Sequence, residues 1–205
     1  MGLSADQLRT SLDALARLEP TFATALAEAG YPEPRIRERG YETLLRTIVG
    51  QQVSVAAAQS IWNKLAAALG DPADPSAMTA ASDETLRAAG LSRQKASYAR
   101  SLADEVTSGR LDFDNLPADD EEAIAALTRI KGIGRWSAEI YLLFAEGRTD
   151  IWPAGDLAVQ VQIGRILGHA TRPTEKAVRA LSEGWRPHRG AAAIFAWHHY
   201  SIEVI

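Results

Sequence analysis

The sequence predicts an all-α protein. Apolar residues recur at helical spacing from one end of the chain to the other, and no stretch alternates apolar and polar residues as a strand would. The breaks between these stretches carry helix-start residues on one side and glycine or proline on the other. No tract repeats, which weighs against a helical solenoid. The 205 residues suffice to bury a core as one domain or as two tightly apposed lobes.

Ser4-Ala5-Asp6-Gln7 has the form of a capping box, in which hydroxyl and amide each satisfy the other's backbone N–H, and Leu8, Leu12 and Leu15 follow at turn spacing. A second short helix runs to about Ala29 and stops at Gly30-Tyr31-Pro32. Residues 31–40, with two prolines and three arginines, read as a connection. Leu44, Leu45 and Ile48 mark a buried helix ending near Gly50. After Gln51-Gln52-Val53, Ser54 caps a helix carrying Ile61, Leu65 and Leu69. Asp71 to Pro75 is a turn. Ser82 caps a short helix closed by Gly90, and Ser92 opens another that runs to Gly109. Asp119 and Glu122 form the next capping box, with Ala123, Ile124 and Leu127 as the apolar face.

Ile130-Lys131-Gly132-Ile133-Gly134 is then a tight turn, followed by a helix from Arg135 to about Ala145. Asp156 starts another helix, with Val159, Ile163, Ile166 and Leu167 apolar and Gly168 as the stop. Thr174 caps the next, and a last helix spans roughly Arg189 to Ile202.

Composition excludes several classes. The chain is 46% hydrophobic and 23% charged with no neutral apolar run long enough for a membrane span, so no membrane partner is expected. The start, MGLSADQLRT, lacks the basic and apolar regions of a signal peptide, which predicts an intracellular protein. Zero cysteines exclude a disulfide framework and a cysteine-ligated iron–sulfur cluster. His169, His188, His198 and His199 form no defensible metal site; the adjacent pair points about 100° apart on a helix. The net charge of −4 argues mildly against a nucleic-acid partner, but the distribution is uneven. Acids gather at Asp112, Asp114 and Asp119–Glu122. Cations gather at Arg35, Arg37 and Arg39, at Arg93, Lys95 and Arg100, at Lys131 and Arg135, and at Arg186 and Arg189. A basic face on an acidic body can bind DNA in a salt-sensitive way, although each cluster also has a plain reading as solvated helix surface.

Two features carry chemistry. Gly132 and Gly134 allow a sharp turn that brings N–H groups to the surface at a helix N-terminus, where N–H groups and helix dipole favour a phosphate; Lys131 and Arg135 flank it. Alone, such a turn is common among helical proteins. Asp156 is a preferred N-cap residue, so the helix it begins accounts for it without any chemistry.

The longer pattern is more specific. I-x-G-I-G-R-W-x-A-E, a spacer and D-I-W-P-A-G-D-L, together with IVGQQVSVAAAQSIWNKL (48–65) and WRPHRGAAAIFAWHHY (185–200), resembles the helix-hairpin-helix DNA glycosylase superfamily, and within it the 3-methyladenine DNA glycosylase II branch. The resemblance covers most of the chain from about Tyr41 onward. It implies a two-lobed helical fold with the active-site cleft between the lobes: 40–148 with wedge loop and hairpin, and 1–39 plus 149–205 with the catalytic carboxylate. It further implies a compact form without the N-terminal β domain of some relatives.

By that resemblance, Asp156 is the catalytic residue, stabilising positive charge on the sugar or activating water. Trp136, Trp197, Ile140 and Leu157 are expected to bind the base, with Trp197 equally readable as a core residue. Gln51, Gln52, Lys131, Gly132, Ile133, Gly134 and Arg135 are expected to bind DNA. The residue matching Gln52 lies in the loop that wedges into the duplex where the target base leaves, while one of the two glutamines is expected simply to hold loop backbone. Trp136 stands where relatives that also nick the strand carry a Schiff-base lysine, which predicts a monofunctional glycosylase. Ile140 and Leu157 stand where a well-known bacterial member has tyrosines, and Gly155 where it has a second aspartate, so the pocket is expected to be less aromatic. Trp62, Trp152 and Trp185 read as packing.

The implied substrates are alkylated purines, 3-methyladenine and 7-methylguanine, with 1,N6-ethenoadenine and hypoxanthine as extensions, in double-stranded DNA with a damaged base. The protein is expected to act as a monomer in base excision repair, cytoplasmic and nucleoid-associated if bacterial. No catalytic metal or cofactor is required; a structural monovalent cation on the hairpin carbonyls at 130–135 is implied. The alternatives are a non-catalytic helix-hairpin-helix DNA-binding module and a bifunctional glycosylase/lyase.

Overall fold

The structure is a computed structural model that describes residues 2–203, and among them every regular element is helical. In order they are α1 (Ala5–Leu18), α2 (Pro20–Ala29), α3 (Tyr41–Gly50), α4 (Val55–Leu69), α5 (Pro75–Ala80) and α6 (Asp83–Ala88). There follow α7 (Arg93–Thr107), α8 (Asp120–Thr128), α9 (Arg135–Tyr141), α10 (Leu157–Ile166), α11 (Glu175–Leu181) and α12 (Arg189–Glu203). No helix among the described residues is long and apolar enough to cross a membrane.

The starts are set locally. Ser4 accepts from Gln7 N–H while the Gln7 side chain accepts from Ser4 N–H, completing the capping box of α1. Ser54, Ser82, Ser92, Asp119 and Thr174 each accept from the backbone N–H three residues on. Two elements depart from expectation. The stretch after Asp71 holds a short helix, α5, capped by Asp74, started by Pro75 and anchored by fully buried Met78. Six residues are too few for an apolar period to show. The helix from Arg135 is α-helical only to Tyr141; Leu142–Glu146 widens into a π-helical turn that ends at Gly147, left-handed at φ 73°.

The contacts divide the chain into two units: Glu38–Ala138, and the residues up to Arg37 joined with those from Glu139 onward. The first boundary lies close to the expected 39/40. The second falls well before the expected 148, because Leu142, Leu143, Phe144 and Ala145 are buried in the unit that follows.

In the 38–138 unit α7 is the central helix. Its small residues Ala96, Ala99 and Ala103 are buried and let α3, α5 and α6 come close. Trp62 is buried with the Arg46 guanidinium 3.7 Å from its ring centre. In the other unit α1 packs on α2 and α12, and α10 packs on α12. Leu8, Leu12 and Leu15 form the inner face of α1, and Phe22 meets Trp185 edge-on at 5.2 Å and Phe195 at 6.0 Å. Trp152 and Trp185, also buried, meet edge-on at 5.8 Å.

The segment between α9 and α10 is pinned from its far side. Asp150 receives two hydrogen bonds of 2.8 Å from the buried guanidinium of Arg189 and a third from Arg186. Paired in this bidentate way, a buried arginine keeps its charge satisfied. Gly190 donates to Thr149 O at 2.8 Å, and a Cβ there would lie 2.7 Å from that oxygen, so α12 approaches the segment backbone to backbone. The chain is thus held six residues before Asp156.

Candidate active site and nucleic-acid interface

In the 38–138 unit the Gly-x-Gly turn joins α8 to α9. Ile130 and Ile133 are buried and anchor it, so Ile133 has only its backbone to offer a ligand. Gly132 has φ 81°, and a Cβ on it would sit 2.1 Å from the Tyr98 ring. Gly134 has neither a positive φ nor any atom within 4 Å of a built Cβ. The two glycines therefore differ: Gly132 is demanded by conformation and packing, whereas a side chain at Gly134 would meet open space. Neither the Gly132 nor the Gly134 N–H donates a hydrogen bond among the described residues. Lys131 N–H is held by Ser101 Oγ at 3.0 Å, and the Lys131 side chain is exposed.

The glutamine loop is tied to this turn. Gln51 sends its side-chain N–H to Gly132 O at 2.9 Å and so braces the hairpin. Gln52 is exposed and sits at φ 54°, a left-handed backbone that a non-glycine residue adopts at a cost of about 1 kcal/mol or more. Of the expected pair, Gln52 is the one presented outward. Lys95 donates to Val49 O at 2.7 Å, satisfying a carbonyl in the last turn of α3, and its ammonium is pushed to a lower pKa by desolvation. Arg100 is likewise taken up by Asp83 and Ala81 O. Arg135, expected to bind DNA, forms a two-pronged pair with Glu121 on α8, at 2.8 and 2.5 Å. Trp136, second residue of α9, is 50% exposed, which is unusual for an indole.

In the other unit Asp156 caps α10. Its Oδ1 accepts from Val159 N–H at 3.0 Å and from the Trp197 indole N–H at 3.2 Å. Backbone bonds hold its own chain as well: Asp156 N–H donates to Pro153 O at 2.9 Å, and the buried Gln160 side chain donates to Ala154 O at 2.8 Å. The carboxylate is half-buried, fixed by two donors from different helices at the positive end of α10. Trp197 thus serves as a hydrogen-bond donor as well as an aromatic surface; its ring lies against Phe144 at 5.7 Å. Nothing local in the sequence pairs residues 156 and 197.

The remaining expected residues fall apart by exposure. Leu157, beside Asp156, is 58% exposed. Ile140 is 8% exposed, packed as core, so little of it is open to a base. The histidines have structural partners: His198 bonds to Ala29 O at 2.9 Å and His199 to Gln162 at 3.1 Å.

The chain matches the family described as HhH-GPD superfamily base excision DNA repair protein over residues 45–187. It is 33% identical over 167 residues to DNA-3-methyladenine glycosylase 1 of Schizosaccharomyces pombe, covering 78% of this chain and 72% of that protein. Among solved structures, a DNA-3-methyladenine glycosidase from Bacillus halodurans superposes with TM-score 0.84 at 30% identity, covering 91% of this chain and 87% of the other. A 3-methyladenine DNA glycosylase of Schizosaccharomyces pombe in complex with abasic DNA superposes with TM-score 0.75 at 30% identity, covering 92% and 95%.

Proposed function

The chain belongs to the HhH-GPD superfamily of base excision DNA repair proteins, and from that premise we propose that it is a monofunctional DNA glycosylase that releases alkylated purines, 3-methyladenine and 7-methylguanine first, from duplex DNA. The observation that carries the reading is Asp156, a single carboxylate whose Oδ1 is held by Val159 N–H and the Trp197 indole. The relatives named for 3-methyladenine support the substrate class.

The C1′–N bond breaks with its electron pair going to the base. The sugar becomes oxocarbenium-like, water adds to C1′ and loses a proton, and the products are free base and an abasic site. A fixed anion stabilises the positive transition state more than the neutral sugar of the ground state, which is what lowers a barrier. Asp156 takes this role and can also receive the proton of the attacking water. An N-alkylated purine is cationic or electron-poor, leaves readily and stacks well on an indole; Trp136 supplies an exposed one. The same residue cannot form the Schiff base of a lyase. Gln52 acts as the wedge, and the N–H groups of Gly132 and Gly134 with Lys131 hold phosphate. A monovalent cation on the hairpin fits as a brace: Ile130 O and Gly132 O each accept one hydrogen bond and keep a second lone pair. It would add positive charge facing phosphate, and no step depends on it.

Single-turnover release from duplexes bearing 3-methyladenine, 7-methylguanine, 1,N6-ethenoadenine or hypoxanthine tests the reading. Release of an alkylated purine without strand nicking or borohydride trapping is expected. Intact duplex binding with no release from any substrate would instead favour a non-catalytic binding module, and a trapped covalent adduct would favour a lyase. Trp197→Phe keeps a smaller aromatic ring against Phe144 and removes the donor to Asp156. It should slow release about tenfold, as loss of one hydrogen bond to a charged group implies. An unchanged rate would show that the indole N–H does nothing for the carboxylate.

A further inference from the structure

A cleft of about 600 Å³ opens beside the hairpin in the 38–138 unit, and Trp136 is not in its lining. Six cations line it against three carboxylates, on a protein whose net charge is −4. Three of the cations are partly neutralised: Arg100 by Asp83 at 2.5 Å, and Arg110 and Arg129 by Glu105 at 3.0 and 3.6 Å. Arg87, Arg93 and Lys131 are exposed and have no ion-pair partner among the described residues. The cleft's surplus is therefore positive and solvent-facing.

The α7 wall explains how the sequence builds it. Arg93, Ser97, Arg100 and Asp104 recur at spacings of four, three and four, so they share one face of the helix, beside the buried alanines, of which Ala96 also lines the cleft. Ser101, also in the wall, holds Lys131 N–H at 3.0 Å, so the cleft reaches Lys131 of the hairpin turn.

We propose that this cleft is a second phosphate-backbone contact, taking up the DNA strand that the hairpin grips. The inference rests on the reading of the hairpin as a DNA contact. A strand fits better than a free phosphate because the cations are spread out. The three cations without an ion-pair partner come from three places in the chain: Arg87 on α6, Arg93 at the start of α7 and Lys131 in the hairpin turn. Asp104 sets the limit of the footprint, since it lines the same cleft with no ion-pair partner among the described residues and repels a phosphate.

The test is binding of the full chain to a labelled duplex with a central abasic site, across a range of salt concentrations. The double variant Arg87→Gln/Arg93→Gln should weaken binding about tenfold or more near 0.1 M salt. It should also reduce the slope of log affinity against log salt by about one to two, one contact each. Asp104→Asn should tighten binding severalfold. Arg17→Gln, an exposed cation on α1, removes one charge elsewhere and should change neither quantity. On a duplex cut short on each side of the abasic site in turn, the difference between natural protein and double variant should vanish for one of the two cuts. Equal affinity and equal slope for natural protein and double variant, with duplex binding intact, overturn the cleft contact alone. Failure of the natural protein to bind any duplex overturns the glycosylase reading with it.

Discussion

Asp156→Asn is expected to leave duplex binding intact and to lower single-turnover base release by at least about a hundredfold, the scale of losing one preorganised electrostatic contact to a transition state. The substitution is clean for a structural reason. Val159 N–H and the Trp197 indole N–H both donate to Oδ1. An asparagine carbonyl oxygen at that position accepts both, and asparagine caps a helix as well as aspartate does. The cap is kept while the negative charge is gone, so release should change far more than folding. Release measured beside a denaturation curve separates the two effects. Full activity in Asp156→Asn would remove the charge-stabilising role and with it the core of the proposed mechanism. Asp156→Ala, by contrast, should also lose about 1 kcal/mol of stability with the cap.

Gly132→Ala should destabilise the protein by about 2–4 kcal/mol, combining left-handed backbone strain with overpacking. The φ of 81° strains any side chain, and the added Cβ would lie 2.1 Å from a ring atom of Tyr98. Gly134→Ala, two residues along, meets neither obstacle and should cost less than about 1 kcal/mol. Urea denaturation of both variants tests the contrast. Adding Tyr98→Ala to Gly132→Ala should recover the clash but not the strain, a coupling that a double-mutant cycle reads directly. Equal stability of the two glycine variants would mean that the turn readjusts freely. Because Gln51 bonds to Gly132 O, the Gly132 variant should also disturb the glutamine loop and weaken duplex binding.

Much of the fold is legible in the sequence because its signals are short-range. The caps at Ser4, Ser54, Ser82, Ser92, Asp119, Asp156 and Thr174 each bond within three residues, so residue type and spacing suffice to find them. Helix α5 escapes, since six residues show no period, and the π-helical turn after Tyr141 leaves no mark in an apolar run.

The site divides along the same line. Residue types and their spacing are enough to tell which carboxylate stands at a helix start inside IWPAGDLA, that position 136 is tryptophan rather than lysine, and where the hairpin glycines lie. What each side chain touches comes from the packing of the helices. Gln51 braces the hairpin across 81 residues, Trp197 reaches Asp156 across 41, Arg135 turns to Glu121, and Tyr98 makes Gly132 obligatory. The cationic cleft gathers residues from α6, α7, the end of α8 and the turn, none of which marks it alone. Caps and periods are written in neighbouring residues because backbone geometry repeats every turn. Side-chain partners depend on how helices pack, which one stretch of chain does not encode.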